Sequence, residues 1–494
     1  MESAFKKQIK VLLINPPIRL SHPPSSFPHG IGYIAAVMLK EGYEVKILDI
    51  NGYRYDKEKV KQLLNKFLIE EGISIVGIGC LITCYNYVKW LIQTIKIIKP
   101  KTKVIVGGGL GTSIPKMVID KLNADIAVIG EGEYTMLELM DVFNEKKKIN
   151  SVGGIYYKEG GRILKTPLRG RITNIDDLPL PPWHLFPMEV YLKNTFVEIP
   201  KDTLSISGYS MSIVSGRGCC YHCAFCFDAL GHSRTLRSVE KVIEEVILLK
   251  KKYRVTYFTF TDPCFVIDKD WVNRLCDEII KRKLDIKWIT SGRVNLIDEE
   301  LLRKMRAAGC LTLNYGVETG SQKILDSMKK GTTVEQAYKT VALTRKVGLK
   351  DWYNLMMGFP EETEEDLEQT IKFCIDNDLR QDTIFFVTPY PGTELYEQAK
   401  SRGLIKDEEE FISRLGEATE FTINLTRWSD EELLKLRDYA INKINKAYFK
   451  KHKMEFLLWI AQKPRHYIHY IKVFGLSSFF DKIKGKLGRI LDSN

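Results

Sequence analysis

The chain has 494 residues, 44% of them hydrophobic and 28% charged, which at roughly 100–200 residues per domain allows about three domains with a large buried core. That size excludes a stapled mini-protein, and no stretch approaches the roughly 20 uninterrupted apolar residues that a bilayer span requires. Net charge is +12, but residues 441–494 hold 12 Lys/Arg against 3 Asp/Glu, so the excess is a local basic region facing something anionic, and a general nucleic-acid surface is excluded.

The first residues, MESAFKKQIKVLLINPP, carry too short an apolar run before Asn15 for a secretory segment; the expectation is an intracellular, cytoplasmic protein. From residue 9 to about 145, short β-branched runs alternate with helical periods. IKVLLIN precedes a helix over Gly30–Glu41, VKILDI one over Asp56–Glu70, and SIVGIGC one over Asn86–Ile98. KVIVGGG and a helix over 112–122 follow, then IAVIGEG and a helix from Glu133. Five strands each followed by a helix predict an α/β, doubly wound (Rossmann-like) parallel sheet over 1–150. Ligands in such sheets bind beyond the carboxyl ends of the strands. Those ends carry Asn15-Pro16-Pro17, Cys80-Leu81-Ile82-Thr83, Gly107-Gly108-Gly109 and Gly130-Glu131-Gly132, where glycines and prolines let backbone approach a ligand closely.

Residues 151–205 read as a hairpin (GGIYYKEGGRI) followed by a proline-rich linker through LPLPPWHLFP. From 206 to 405 a second series runs through SIVSGRGC, TYFTFTD, IKWITSGR, LTLNYGVE, DWYNLMMGFP and TIFFVTPYPG, six strand-helix units that predict a partial (β/α)6 barrel. Residues 406–494 form a helical, basic carboxyl-terminal region. A capping-box pattern at Ser429-Asp430-Glu431-Glu432 opens a helix there that runs towards Lys450.

Ten cysteines are too dilute in this length for a disulfide scaffold, so a close cluster suggests metal. One follows the first barrel strand: Cys219, Cys223 and Cys226, as Cys-x3-Cys-x2-Cys. Three thiolates in one loop suit three irons of a [4Fe-4S] cluster and leave the fourth without a protein ligand. A zinc knot completed by His222 or Cys220 is a second reading, crowded for a tetrahedral site. A ferredoxin-type cluster on Cys220, Cys223 and Cys226 lacks its fourth cysteine before proline.

This loop, with an aromatic (Phe225) before its last cysteine and a barrel pattern behind it, resembles the radical S-adenosylmethionine superfamily. The resemblance implies that the open iron chelates S-adenosylmethionine and passes it an electron, generating a 5′-deoxyadenosyl radical, with Cys219 rather than Cys220 on iron by family spacing. It implies Asp262, at the end of the second barrel strand, for the cofactor's amino group, where a turn-initiating Asp before Pro263 is the plainer reading. Arg293 fits the methionine carboxylate, for which a guanidinium fork is suited, and Glu318 the amino or ribose groups; either also suits a salt bridge at the barrel mouth. Met357-Gly358-Phe359-Pro360-Glu361-Glu362-Thr363 and Pro389-Tyr390-Pro391-Gly392-Thr393 match loop-shaping segments of the larger members, with Phe359 and Glu361 departing from the usual pattern.

The order of the two halves resembles, over about residues 9–405, the cobalamin-binding radical S-adenosylmethionine enzymes. That likeness implies cobalamin over the first sheet, near Pro16, with Cys80 to Tyr85 under the cobalt, Gly107, Gly108 and Gly109 along the nucleotide tail, and Gly130, Glu131 and Gly132 beside it. No histidine here stands in the Asp-x-His-x-x-Gly context that ligates cobalt elsewhere, so Leu81, Thr83 or Tyr85 is expected at the lower face. A degenerate domain kept for packing is the plainer reading of the same glycines.

The implied activity is methylation of an unactivated carbon by hydrogen-atom abstraction and methyl transfer from methylcobalamin. The alternatives are an anaerobic radical cyclase or oxidase on a porphyrin-like or lipid substrate, a cobalamin-free radical enzyme, and a non-catalytic iron-sulfur sensor. Expected partners are a small-molecule, lipid-like or tetrapyrrole substrate, an external electron donor of flavodoxin or ferredoxin type, and no nucleic acid. The stretch FLLWIAQKPRHYIHYIKVFGLSSFF reads either as a lid over the barrel mouth or as a basic peripheral membrane contact.

Overall fold

A computed structural model describes residues 9–19, 24, 26–193, 209–416 and 419–456. The first sheet grows from β1 (Lys10–Asn15), where Val11 to Asn15 are all buried, as a strand covered by helices on both faces must be. Strands β2 (Glu44–Asp49), β3 (Ile75–Cys80), β4 (Lys103–Gly107) and β5 (Ile126–Val128) join it in parallel. The hairpin β6 (Ile155–Glu159) and β7 (Arg162–Lys165) extends the edge in antiparallel fashion, giving the order β2-β1-β3-β4-β5-β6-β7. Its two-residue turn is Gly160-Gly161, both at positive φ, the conformation that matches the twist of the flanking strands. Leaving β1 the chain moves first to one side and then to the other, so a crevice opens between the carboxyl ends of β1 and β3.

The helix expected over 112–122 is two shorter ones, Gly108–Ser113 and Pro115–Asp120. Pro115 has no N–H to continue the first helix but suits the opening of the second. The glycine run read as a loop instead starts the first of them. Gly111 lies there against the sheet, where an added Cβ would stand 2.6 Å from the Val106 carbonyl oxygen and 2.8 Å from that of Val128.

The second sheet starts at β8 (Tyr209–Ile213). Next comes a two-stranded ribbon, β9 (Gly216–Arg217) against β10 (Thr235–Leu236), which ties the base of the loop holding all three candidate cysteines. Strands β11 (Val255–Phe260), β12 (Lys287–Gly292), β13 (Cys310–Glu318), β14 (Lys350–Met357) and β15 (Phe385–Phe386) follow in parallel order β15-β14-β13-β12-β11-β8. This is the six-stranded half-barrel that the sequence predicts, its last strand only two residues long. Helices including Val239–Tyr253, Lys269–Lys281, Val334–Val347 and Glu364–Asp376 cover one face, each opened by a side-chain cap from Ser238, Asp268, Thr333 or Thr363.

One continuous core joins the sheets, from Leu13, Ile31 and Tyr33 through Tyr191 to Phe258, Trp288 and Tyr315. The capping-box helix runs from Asp430 to Lys451 with Ser429 as its cap. The aromatic, basic stretch assigned to a lid or membrane lies outside the described residues except for Phe456. Among the described residues no helix is long and apolar enough to cross a membrane.

Gly111→Ala is expected to lower the thermal unfolding midpoint by several degrees, since overpacking against two carbonyls costs about 1–3 kcal/mol and each kcal/mol is roughly 2–4 °C in a domain of this size. Differential scanning calorimetry checks it; an unchanged midpoint contradicts the packing described.

Candidate functional site

A cavity of about 460 Å³ opens over the carboxyl ends of the first sheet. Asn15 lines it from β1, Gly79, Cys80 and Leu81 from the end of β3, Gly107, Gly108 and Gly109 from β4, and Gly130, Glu131 and Gly132 from the segment after β5. Its far wall comes from the ribbon and from the segments after β8 and β11: Val214, Gly216, Arg217, Gly218, Thr261 and Pro263. Gly108 is held at φ +71 so close to Cys80 that an added Cβ would stand 2.6 Å from the Cys80 carbonyl oxygen. At Gly107 and Gly130 a Cβ would meet nothing nearer than 3.8 Å, so a side chain at either would project into space that these glycines leave clear.

Of the segment expected beneath the cobalt, the structure brings Cys80 and Leu81 to the cavity; of the three lower-face candidates Leu81, Thr83 and Tyr85, it brings Leu81, 49% exposed. Tyr85 is buried and turned the other way, its hydroxyl donating to Glu409 Oε1 at 2.8 Å. It opens the helix Tyr85–Ile98, and the first turn carries it to the outer face. Thr83 and Pro16 do not line the cavity, although Asn15 and Ile18 beside Pro16 do.

Two groups that span the sheets were not legible in advance. Arg217 donates to Glu131 Oε1 at 2.8 Å and to Glu133 Oε1 at 2.7 Å, over the ring of Tyr33. Glu131 Oε2 in turn accepts from the Ile172 backbone N–H at 2.7 Å. The expected nucleotide-side contact Glu131 is therefore also an anchor. His29, on the cavity wall, meets Ser212 Oγ through Nε2 at 2.9 Å. Burial, then Arg237 and Arg217, push its pKa down to about 3, so it is neutral at any physiological pH. An arginine between two glycines just before a cysteine motif has no local use for its charge, and that was the available signal for Arg217.

Cys219, Cys223 and Cys226 share the loop closed by the ribbon. Burial pushes the Cys226 thiol up to about 11, with Cys223 and Cys219 adding to the rise. Among the described residues no three His, Cys, Asp or Glu side chains converge on one metal ion; a cubane asks instead for one thiolate on each of three irons. The loop is pinned from several directions. The Ala224 N–H donates to the Met328 carbonyl at 2.9 Å, and the Ala224 carbonyl accepts from Leu395 N–H at 3.0 Å. The Arg293 guanidinium lies 3.5 Å from the centre of the Tyr221 ring, 3.6 Å from Cys223 Sγ, and against the Lys330 carbonyl. Lys330 Nζ sits 5.7 Å from the Phe225 ring centre. Cations around three thiols are the setting that a cluster of anionic sulfurs needs, so the donor set fits the group.

Asp262, expected at an amino group, is buried and engaged. Its Oδ1 accepts from Ser215 N–H at 2.8 Å and its Oδ2 from Ser215 Oγ at 2.6 Å. It braces the exit of β8 into the cysteine loop. Arg293 is likewise committed to the loop. Glu318 keeps capacity: Oε1 pairs with Lys330 Nζ at 2.5 Å, while Oε2 has no partner among the described residues. Glu318 sits at φ +69, where the β13–β14 register shifts, a conformation that costs a non-glycine residue and that surroundings must enforce. Gly316 leaves the room that the pair occupies.

Glu362 shapes the loop after β14, its Oε2 accepting from Gly358 N–H at 2.5 Å and Phe359 N–H at 3.2 Å. Burial raises its pKa to about 7.

The comparisons agree with this geometry. Residues 213–374 match the family model described as radical SAM superfamily, and residues 20–140 the one described as B12 binding domain. An uncharacterized methyltransferase of Pyrococcus horikoshii is 32% identical over 81% of this chain and 85% of its own length. Cytidylyl-2-hydroxyethylphosphonate methyltransferase of Streptomyces wedmorensis is 27% identical over 86% of this chain and 88% of its own. Among solved structures, the radical S-adenosylmethionine methyltransferase TsrM of Kitasatospora setae, with cobalamin and a [4Fe-4S] cluster bound, superposes with a TM-score of 0.66 at 21% identity, covering 80% of this chain and 78% of that one.

Two measurements test the site. Lys330→Met leaves Glu318 buried without its counter-charge, an expected loss of about 3–5 kcal/mol, and Glu318→Met in the same chain is expected to restore part of it in thermal unfolding. Because the folded pKa of Glu362 is raised, its stabilising contribution is present below the ordinary carboxylate pKa and is lost as pH rises through about 7. Relative to Glu362→Gln, the native protein is expected to lose about 1.4 kcal/mol for each unit between those two values; a pH-independent difference between the two midpoints contradicts it.

The two matched regions, together with a relative that is similar over most of both chains, identify the chain as a member of the cobalamin-binding radical S-adenosylmethionine enzymes.

Proposed function

We propose that the chain methylates a carbon of a small molecule. The observation that carries this reading is the shared cavity: glycine backbone of the first sheet forms one wall, and the residues leading into the cysteine loop form the other. When bound, the iron-sulfur cluster supplies one-electron cleavage of S-adenosylmethionine, and the cobalamin supplies a transferable methyl group.

The remaining tasks belong to side chains. Cys219, Cys223 and Cys226 would hold the cluster through their thiolates. Arg293 and Lys330 offset its negative charge, and Asp262 fixes the strand exit from which the loop hangs. Glu318 offers its free oxygen to an ammonium or hydroxyl of S-adenosylmethionine. Gly107–Gly109 and Gly130–Gly132 would admit the corrinoid, to which Leu81 would present hydrocarbon. An external donor of flavodoxin or ferredoxin type supplies the electron. Methyl transfer is favoured over ring closure because the two relatives named above, both named as methyltransferases, are similar over 81% and 86% of this chain.

Anaerobic reconstitution with methyl-labelled S-adenosylmethionine and a panel of candidate substrates tests it. The expected outcome is label on a product carbon, with homocysteine and 5′-deoxyadenosine both accumulating. A product that loses hydrogen without gaining label would establish cyclisation or oxidation instead. Alanine at Cys219, Cys223 or Cys226 is expected to abolish iron-sulfur absorbance, and Cys220→Ala to retain it; the reverse pattern at 219 and 220 would exchange their roles.

A further inference from the structure

The two halves of the cysteine loop are held by different parts of the molecule. The first half is tied to the second sheet through both backbone bonds of Ala224. The second half, Phe227 to Leu230, leans on the first sheet. Gly392, at φ +92, touches both sides of this junction: a Cβ there would stand 2.8 Å from Phe227 Cε2 and 3.9 Å from Ser113 Cβ. One glycine thus brings Phe227 close to the last residue of the helix Gly108–Ser113, which opens on the glycine run at the end of β4. The same helix holds Gly130, whose N–H donates to Thr112 Oγ1 at 3.1 Å. The Ala229 carbonyl oxygen passes 3.8 Å from where a Cβ at Gly130 would stand. Leu230 completes the approach, since of residues 219–233 it is the one that lines the cavity.

This segment is short and locally closed. Asp228 Oδ1 accepts from the Leu230 N–H at 2.9 Å, and Gly231 follows at φ +79, the pattern of a turn that an Asp side chain builds on its own backbone. Even fully extended, the four residues after Cys226 would span about 14 Å, and a turn spans less. The last thiol of the candidate cluster set and part of the cavity wall therefore belong to one small unit. Leu230 is half-buried and brings only hydrocarbon to that wall, a surface that gains when a ligand covers it.

We propose that Leu230 is a positioning residue that couples the two cofactors. Cluster assembly on Cys226 fixes the turn that presents Leu230, and corrinoid packed on Leu230 holds the same turn in the form that the cluster needs. Ordering a segment costs conformational freedom, so whichever cofactor binds second meets residues already in place and loses less. The coupling is reciprocal: the factor by which the cluster tightens corrinoid binding is the factor by which corrinoid tightens the cluster. This inference rests on the proposed placement of the corrinoid in the cavity, and adds that each site is built to full affinity only when the other is filled.

Anaerobic absorbance titration of hydroxocobalamin into the protein with its cluster reconstituted, and into the metal-free protein, tests this. Binding is expected to be about tenfold tighter in the cluster-loaded form, within the usual range of such couplings, and hydroxocobalamin is expected to slow iron release to bathophenanthroline disulfonate. Leu230→Ala is expected to bring the two affinities within about twofold by weakening the loaded form alone, with iron content unchanged, and Leu230→Met to keep the native difference. Equal affinity of the native protein with and without cluster overturns the inference, as does an equal loss in both forms of Leu230→Ala, which would make Leu230 ordinary wall. Gly107→Leu fills the cavity from the first sheet and is expected to abolish hydroxocobalamin binding in both forms; binding unaffected by it removes the corrinoid from the cavity and the coupling with it. Failure of the methyl-transfer reading shows instead as unlabelled product and leaves these affinities untouched.

Discussion

The two sheets do their work only if they face each other at a fixed separation, and Arg217 is the group that sets it. Its guanidinium reaches from the ribbon at the root of the cysteine loop to two carboxylates on the segment after β5. All three groups are largely buried, so the attraction is weakly screened, but each would be costly to leave alone. A guanidinium fork can satisfy both carboxylates at once where an ammonium could not hold the same planar geometry. His29 adds a neutral link a short way along, and the shared core beneath both leaves little freedom for the sheets to slide.

From that fixed wall the cysteine loop is supported step by step. Asp262 holds Ser215 at the exit of β8, the ribbon closes the base of the loop, and Arg293 lies on Tyr221 and against the Lys330 backbone. Lys330 in turn is tied to Glu318 at the bulge that ends β13. Each support comes from a different strand end, so the position of the thiols depends on the curvature of the whole half-barrel. Asp262 and Arg293, which a motif suggests for direct cofactor contact, each hold other residues of the loop in place.

Much of the architecture was legible because it rests on local patterns. Runs such as KVLLIN and TYFTF alternate with helical periods, and the spacing of Cys219, Cys223 and Cys226 is set by the chemistry of one loop. What was hidden depends on direction. Tyr85 could not be assigned to the cavity or to the outer face until the helix start was known, since a shift of one residue turns a side chain by about 100°. Asp262 before Pro263 reads equally as a ligand and a turn residue, and nothing local in the sequence announces its bonds to Ser215. The short helices after β4 follow from Pro115, a signal present in the sequence but outweighed there by the apolar period around it.

The contact of Tyr85 and Lys89 with Glu409 ties the outer face of the first sheet to chain made more than 300 residues later. During synthesis from the ribosome, the amino-terminal third can pair its strands early but waits for the segment after the half-barrel to cover that helix. Until then the helix Tyr85–Ile98 presents partly uncovered apolar side chains, a period in which nascent chains are prone to associate with one another.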